Sequence, residues 1–394
     1  MKRILMSACM SGVLATTGIS GEVNAAGAGE PSNAFNPSIG LILSGTYGQF
    51  SQNPADYYIP GFPLGGESGP GERGFSLGES ELSINANIDP DWYGAFTYSM
   101  AGDETASVEN AYVQTTSLGN GLTVRGGRFF SGIGYLNEQH AHVWDFVDTA
   151  LPYRAFLGTQ YGDDGVQVRW LAPTDLFTEL GGEWMRGDAF PAGGSANAGR
   201  GTWTAFVHLG GDVGASNSWR TGMSYLSAKS DARETGDPTD PDLFTGTTKL
   251  VVVDFVWKWA PNGNPYTRNF KLQAEYLRNK NNGDFTPTGN TTANYPATTS
   301  GWYVQGVYQF IPRWRVGLRH DQLQPSSPGS AFADSVLDPK GHTPQRNSIM
   351  VDYSNSEFSR LRLQYNRDQS QPKVDNQWFL QYIMSLGAHG AHIF

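Results

Sequence analysis

Apolar and polar positions alternate with a period of two along almost the whole chain. In ELSINANI, Leu82, Ile84, Ala86 and Ile88 fall on one face and Glu81, Ser83, Asn85 and Asn87 on the other. NFKLQAEY sets Phe270, Leu272, Ala274 and Tyr276 against Lys271, Gln273 and Glu275. SRLRLQYN sets Leu361, Leu363 and Tyr365 against Arg360, Arg362, Gln364 and Asn366. Successive side chains of a β-strand point to opposite faces, so this period predicts half-polar strands and not helices. Alternating segments lie near residues 39–50, 75–88, 92–101, 106–117, 122–130, 161–171, 176–187, 201–210, 218–229, 247–259, 267–280, 300–311, 314–324, 346–354, 359–368 and 376–386. They predict an all-β fold of about sixteen strands.

The polar face would be the wet exterior of a soluble sandwich, or the lumen wall of a transmembrane antiparallel β-barrel whose apolar face meets lipid. Three features select the barrel. Tryptophans sit at strand ends (Trp92, Trp170, Trp203, Trp219, Trp257, Trp259, Trp302, Trp314, Trp378), where interfacial girdles belong. Short connections such as 89–91 and 311–313 alternate with long ones near 51–74, 131–160, 188–200, 230–246, 281–299 and 325–345. Short periplasmic turns with long external loops are the outer-membrane arrangement. Finally, the sequence ends on Phe394, the expected recognition mark for the barrel assembly machinery. Sixteen strands are wide enough to enclose an aqueous channel.

Composition changes the picture in three places. Met1-Lys2-Arg3, the uncharged run Ile4 to Ile19 and the small residues at Val23-Asn24-Ala25-Ala26 predict a signal peptide over 1–25, leaving 26–394 as one barrel exported to the cell outer membrane. Cys9 lies inside that segment, so the mature chain is expected to hold no disulfide, zinc–thiolate site or cysteine nucleophile. No apolar run of about 20 residues follows, which excludes transmembrane helices. A formal net charge of −10 disfavours nucleic acid as a partner.

Candidate chemistry follows from the alternation. Glu81, Arg125, Arg169, Glu179, Glu183, Arg315, Arg319, Arg360 and Arg362 are expected to line the lumen, as are Glu109 and Asp254. The stretch YLNEQHAHVWDFVD packs Glu138, His140, His142, Asp145 and Asp148 into one long connection. As a helix it would put Glu138, His142 and Asp145 on one face; extended, it would pair His140 with His142. Either way imidazole and carboxylate could hold a divalent metal, a donor set that suits zinc. The two histidines beside Asp145 also form a candidate pH gate. The plain alternative is a wet loop that Trp144 and Phe146 pack on the barrel wall. With no H-E-x-x-H, and no evident serine partner for His208 or His320, the chain is not expected to be an enzyme.

GFSLGESELSINANID, GRFFSGIGYLNEQHAHVWDF, YRAFLGTQYGDDGVQVRWLAPTDLF and QYIMSLGAHGAHIF resemble a family of proteobacterial outer-membrane proteins, labelled porin-like or zinc-regulated TonB-dependent receptors. GRFFSGIGYLN is similar, at a weaker level, to the phosphate-selective porin superfamily. The first predicted strand begins near Ile39, about thirteen residues after the predicted cleavage site, too few for the plug of a TonB-dependent receptor. The resemblance implies a porin-like channel passing small polar solutes or ions through outer-membrane lipid, linked to zinc uptake, with a homo-trimer as the expected assembly. General porins fold an early long loop inward, which makes Glu138, His140, His142, Asp145 and Asp148 a candidate constriction. The zinc label adds His389 and His392 in the tail GAHGAHIF to His140, His142 and Asp145 as candidate ligands. No other cofactor is expected. The competing functions are a structural or adhesive barrel with a filled lumen, and a barrel hydrolase.

Overall fold

The computed structural model describes residues 37–65, 68–101, 106–194, 198–236, 240–289 and 291–387. Its strands are β1 (Ser38–Phe50), β2 (Gly74–Ser76), β3 (Ser80–Asn87), β4 (Trp92–Met100), β5 (Ala106–Thr115), β6 (Leu122–Phe130), β7 (Gly162–Leu171), β8 (Phe177–Met185) and β9 (Thr202–Val213). They continue with β10 (Asn217–Thr235), β11 (Asp242–Trp259), β12 (Asn269–Thr286), β13 (Ala293–Asn294), β14 (Ala297–Ile311), β15 (Trp314–Gln324), β16 (Gln345–Ser356), β17 (Ser359–Gln369) and β18 (Asp375–Gly387). β2 and β13, of 3 and 2 residues, only flank their neighbours. The other sixteen strands of the described residues form one closed antiparallel barrel. Closure joins the two ends of the sheet: β1 pairs β18 from Gly40–Gly387 to Phe50–Gln377, and pairs β3 from Ser38–Asn85 to Ile42–Glu81.

Alternation decides which face meets lipid. Leu318, Ile349, Leu361, Leu363, Leu380 and Tyr382 point outward and are exposed, and Trp92, Trp170, Trp314 and Trp378 stand exposed near the ends of their strands. One end of the barrel carries tight turns, such as 312–313 and 357–358, and the other carries the long connections.

The structure corrects three expectations. The segment 75–88 is two strands, because Gly78 breaks it at φ +56 and a Cβ there would lie 2.8 Å from Ser44 Oγ. The expected loops 230–246 and 281–299 are largely strand, since β10, β11 and β12 run for 19, 18 and 18 residues. The inner faces of their outer ends (SDARET, DLFTGT, NNGDFT) are buried but mostly polar (Ser230, Arg233, Thr235, Asp242, Asn281), with Phe244 and Phe285 the apolar exceptions, so no apolar alternation marked them. Third, the lumen face is not polar throughout. Leu226, Leu250, Val252, Leu277 and Leu323 are buried on the inner wall of β10, β11, β12 and β15, against residues of the 131–161 connection. The signal peptide, His389, His392 and Phe394 lie outside the described residues.

Candidate functional site

The connection from β6 to β7, residues 131–161, begins with a neck. Asn137 clamps it: its Nδ2 donates to the carbonyls of Ser131 and Tyr161 at 2.8 Å each, and its Oδ1 accepts from Tyr161 N at 2.8 Å. Beyond the neck the segment meets strands all around the barrel. Gly132 N donates to Glu183 of β8 (2.8 Å) and Gly134 N to Ser224 of β10 (3.0 Å). The amides of Tyr135 and Leu136 donate to Glu275 of β12 (3.2 and 3.1 Å). Arg360 and Arg362 of β17 donate to the carbonyls of His142 and Trp144. A segment that touches opposite walls of a closed barrel lies inside it. The inward fold expected of this stretch is what the structure has.

Two features make that path possible. Gly134 has φ +67, and a Cβ there would meet Glu275 Oε2 at 2.5 Å and Tyr153 Oη at 2.7 Å, so only glycine lets the chain approach this wall. Helix α1 (Leu151–Leu157) starts with Pro152 in its first turn and stops at Gly158 in the left-handed region. All its residues are buried, and it packs on β12, β14 and β15. Tyr153 Oη donates to Glu275 at 2.9 Å and Tyr303 Oη donates to the same carboxylate at 2.5 Å. Glu275 thus holds both ends of the segment. Its position on the lumen face was readable from alternation; its role was not.

The five acid and histidine side chains of the stretch point three ways. Glu138 forms an ion pair with Arg169, which also approaches Glu179 at 3.6 Å. Burial would raise the Glu138 carboxyl, but Arg169 and Arg125 overcome it and hold it below the usual range. Asp145 lies on the far wall with Lys271, Arg315 (3.2 Å) and Gln305 Nε2 (3.1 Å). Lys271 and Arg315 outweigh burial there and lower its pKa. Asp148 accepts from Arg319 (2.6 Å), Arg346 (2.7 Å), Arg154 (3.2 Å), Gln364 (2.8 Å) and Asn366 (3.0 Å). Burial resists its charge, but Arg346, Arg319 and Arg154 hold it far below the usual carboxylate range.

His140 and His142 form the third group. His140 Nδ1 lies 2.6 Å from Glu109 Oε2 and 3.3 Å from Glu81 Oε2, while His142 Nδ1 lies 2.7 Å from Glu81 Oε1. The two rings stack with centroids 5.7 Å apart. Burial disfavours charge on His140, yet its bonds to Glu109 and Glu81 keep the imidazolium well above the ordinary histidine range. Asp145 is not part of this group, contrary to the expected histidine–aspartate set. Between Glu138 and Asp148 the chain makes only a three-residue 3-10 turn (Ala141–Val143) and not a continuous helix, so Glu138, His142 and Asp145 share no helical face. Glu81 and Glu109 take its place, both read as lumen-facing from alternation but not as partners of the loop.

The remaining expected lining residues are also on the inner wall. Arg125 Nε donates to Gln114 at 3.1 Å and its guanidinium lies 4.2 Å over the Tyr112 ring. Glu183 accepts from Ser131, Gly132, Gln167 and Thr204. Arg315 pairs with Asp352. Sequence reasoning missed Asp321 and Arg346, and put Gln364 and Asn366 on the polar face without giving them a role; all four are buried partners of the Asp148 network.

No family model matches the chain. An uncharacterized protein of Aquifex aeolicus (strain VF5) is 31% identical over 393 residues, which cover 92% of this chain and 80% of that protein. Among solved structures, the trimer form of OmpT, an outer membrane protein of Vibrio cholerae, aligns with a TM-score of 0.55 at 10% identity over 90% of this chain and 100% of that one. OmpF of Salmonella typhi in complex with daunomycin gives 0.55 at 12% identity over 90% and 98%. The anion-selective porin of Comamonas acidovorans gives 0.53 at 11% identity over 89% and 99%. These likenesses establish a porin barrel fold and do not point to a TonB-dependent receptor.

Proposed function

We propose, for a chain that belongs to one family with the Aquifex aeolicus protein and folds as porins fold, a passive outer-membrane channel for small polar solutes and ions. One observation carries this reading: the inward segment is anchored by side chains with almost no exposure, while its other edge stays wet. Arg346, Asp321 and Arg362 are 0–1% exposed at the side chain, whereas Glu138, His140 and Arg315 each retain 23% and Lys271 retains 18%. Charged groups that face inward and still reach water line an aqueous passage beside a fixed constriction. Acids (Glu138, Glu179) and bases (Arg315, Lys271) both border it, so the channel is weakly selective. It is a conduit and not an enzyme, it resides in the outer membrane, and it assembles as a homo-trimer. Purified barrel in a planar bilayer tests the reading by producing discrete conductance steps and liposome swelling with small sugars.

A second reading is favoured by a specific observation. Ile59 and Phe62 from the 51–73 connection and Ala192 from the 186–201 connection join the same interior core as Ile133, Leu136 and Phe156. Three connections folded inward support a structural barrel with a filled lumen. A folded barrel without conductance or swelling selects it over the channel.

A further inference from the structure

We propose that Glu81, Glu109 and His140, with His142 holding Glu81 in place, form a binding site for a zinc-like divalent metal on the lumen wall, closed by the inward segment against β3 and β5. One ligand atom each from Glu81, Glu109 and His140 lies within 4.8 Å of the others. His142 stands outside this set and orients Glu81 through its 2.7 Å contact with Oε1. Two ligands of a tetrahedral ion at about 2.1 Å stand roughly 3.4 Å apart. The 3.3 Å between His140 Nδ1 and Glu81 Oε2 already has that value. The 2.6 Å contact with Glu109 is a hydrogen bond whose proton a metal would displace, with side-chain adjustment of under an ångström.

Charge and burial point the same way. Glu81 and Glu109 are 2% and 8% exposed, and among the described residues their ion-pair partners are histidines. Glu79 and Glu109 share a hydrogen bond, and among the described residues no lysine or arginine forms an ion pair with this group of carboxylates. Buried carboxylates in this number require protons or a cation between them. Imidazole donors favour zinc and its first-row neighbours over calcium or magnesium, which take oxygen shells. Asn110 lies 3.0 Å from His140 Nε2, and its amide, turned to present oxygen, would accept from that nitrogen once Nδ1 carries the metal. His140 keeps 23% side-chain exposure, which gives the ion an entry from the lumen.

The site does not depend on conduction, since calorimetry reads the metal and bilayer recording reads the channel. Zn²⁺ titrated into the purified full-length barrel is expected to bind one ion per chain and to resist excess Ca²⁺. Co²⁺ is expected to give visible absorption bands of a low-coordinate site. His140→Ala, and separately Glu81→Gln with Glu109→Gln, should weaken Zn²⁺ binding by about 100-fold or more, with His320→Ala unchanged. Heat-modifiable mobility reports that each variant is folded. If a variant does not fold, the wild-type stoichiometry, Ca²⁺ competition and Co²⁺ spectrum still decide. No stoichiometric Zn²⁺, ready displacement by Ca²⁺, or folded variants that bind like the parent would overturn the site.

Discussion

Asp148→Asn is the sharpest perturbation of the inward segment. The substitution keeps the shape of the side chain and removes one negative charge from among Arg154, Arg319 and Arg346, all of whose side chains are at most 4% exposed. Asp321, 2.7 Å from Arg346 and 3.3 Å from Arg319, is then the carboxylate left to face them. Breaking a buried ion network by removing one partner costs about 3–5 kcal/mol, because the other charges stay buried without compensation. At about 1.4 kcal/mol per tenfold, the undocked population of residues 131–161 rises by roughly two to three and a half powers of ten. The wall itself should survive, because the ladders of β15, β16 and β17 do not involve Asp148. The assay is limited proteolysis of folded barrel combined with single-channel recording. Faster cleavage within 131–161 and noisier or larger conductance are expected while heat-modifiable migration is retained. Adding Arg346→Met should recover part of the loss, since it removes a stranded cation. A folded Asp148→Asn barrel with parental cleavage and conductance would refute the anchoring argument.

The same network fixes a pH dependence. The folded Asp148 carboxyl is depressed, so its contribution is complete above the ordinary carboxylate value of about 3.9 and declines only as pH falls from there toward the depressed value. The Asp148 share of that protection, read as the difference between the parent and Asp148→Asn, should therefore be flat from pH 8 to pH 5 and fail in stronger acid; a difference that disappears near pH 6 would assign the anchor to another group. Gly134→Ala should loosen the neck by about 1–3 kcal/mol through backbone strain and the 2.5 Å approach to Glu275, while Gly126→Ala, with open space at its Cβ, should not. Differential protease sensitivity of the two variants checks this. Replacing Lys271 and Arg315 by Gln should shift reversal potentials in a salt gradient toward cations, and no shift would remove these residues from the conducting path. Leu318→Arg places a charge at a lipid-facing position that is 61% exposed and should cost about 2–4 kcal/mol in folding titrations if the barrel is oriented as described.

What the chain's own alternation determined is local. Whether residue i faces lipid or lumen depends on a two-residue period, so the sequence alone set the faces of Glu81, Glu109, Lys271, Arg315 and Arg362 and the number of long strands. It also marked 131–160 as a long connection rich in metal-binding and titratable groups. Two local signals misled. KLVVVDFVW is apolar on both faces because its inner residues Leu250 and Val252 pack in the interior core with the 131–161 connection, and the outer halves of β10–β12 carry a buried face that is mostly polar. Only the tertiary structure decided which wall each side chain meets. His142 finds Glu81 from 61 positions away, Leu136 finds Glu275 from 139, and Val147 finds Gln364 from 217. Those separations are set by the register of sixteen strands and by closure of β1 on β18, which no single segment encodes. Asp145 shows the consequence: three residues from His142 in sequence, it belongs to the opposite wall, because the chain crosses the lumen between them.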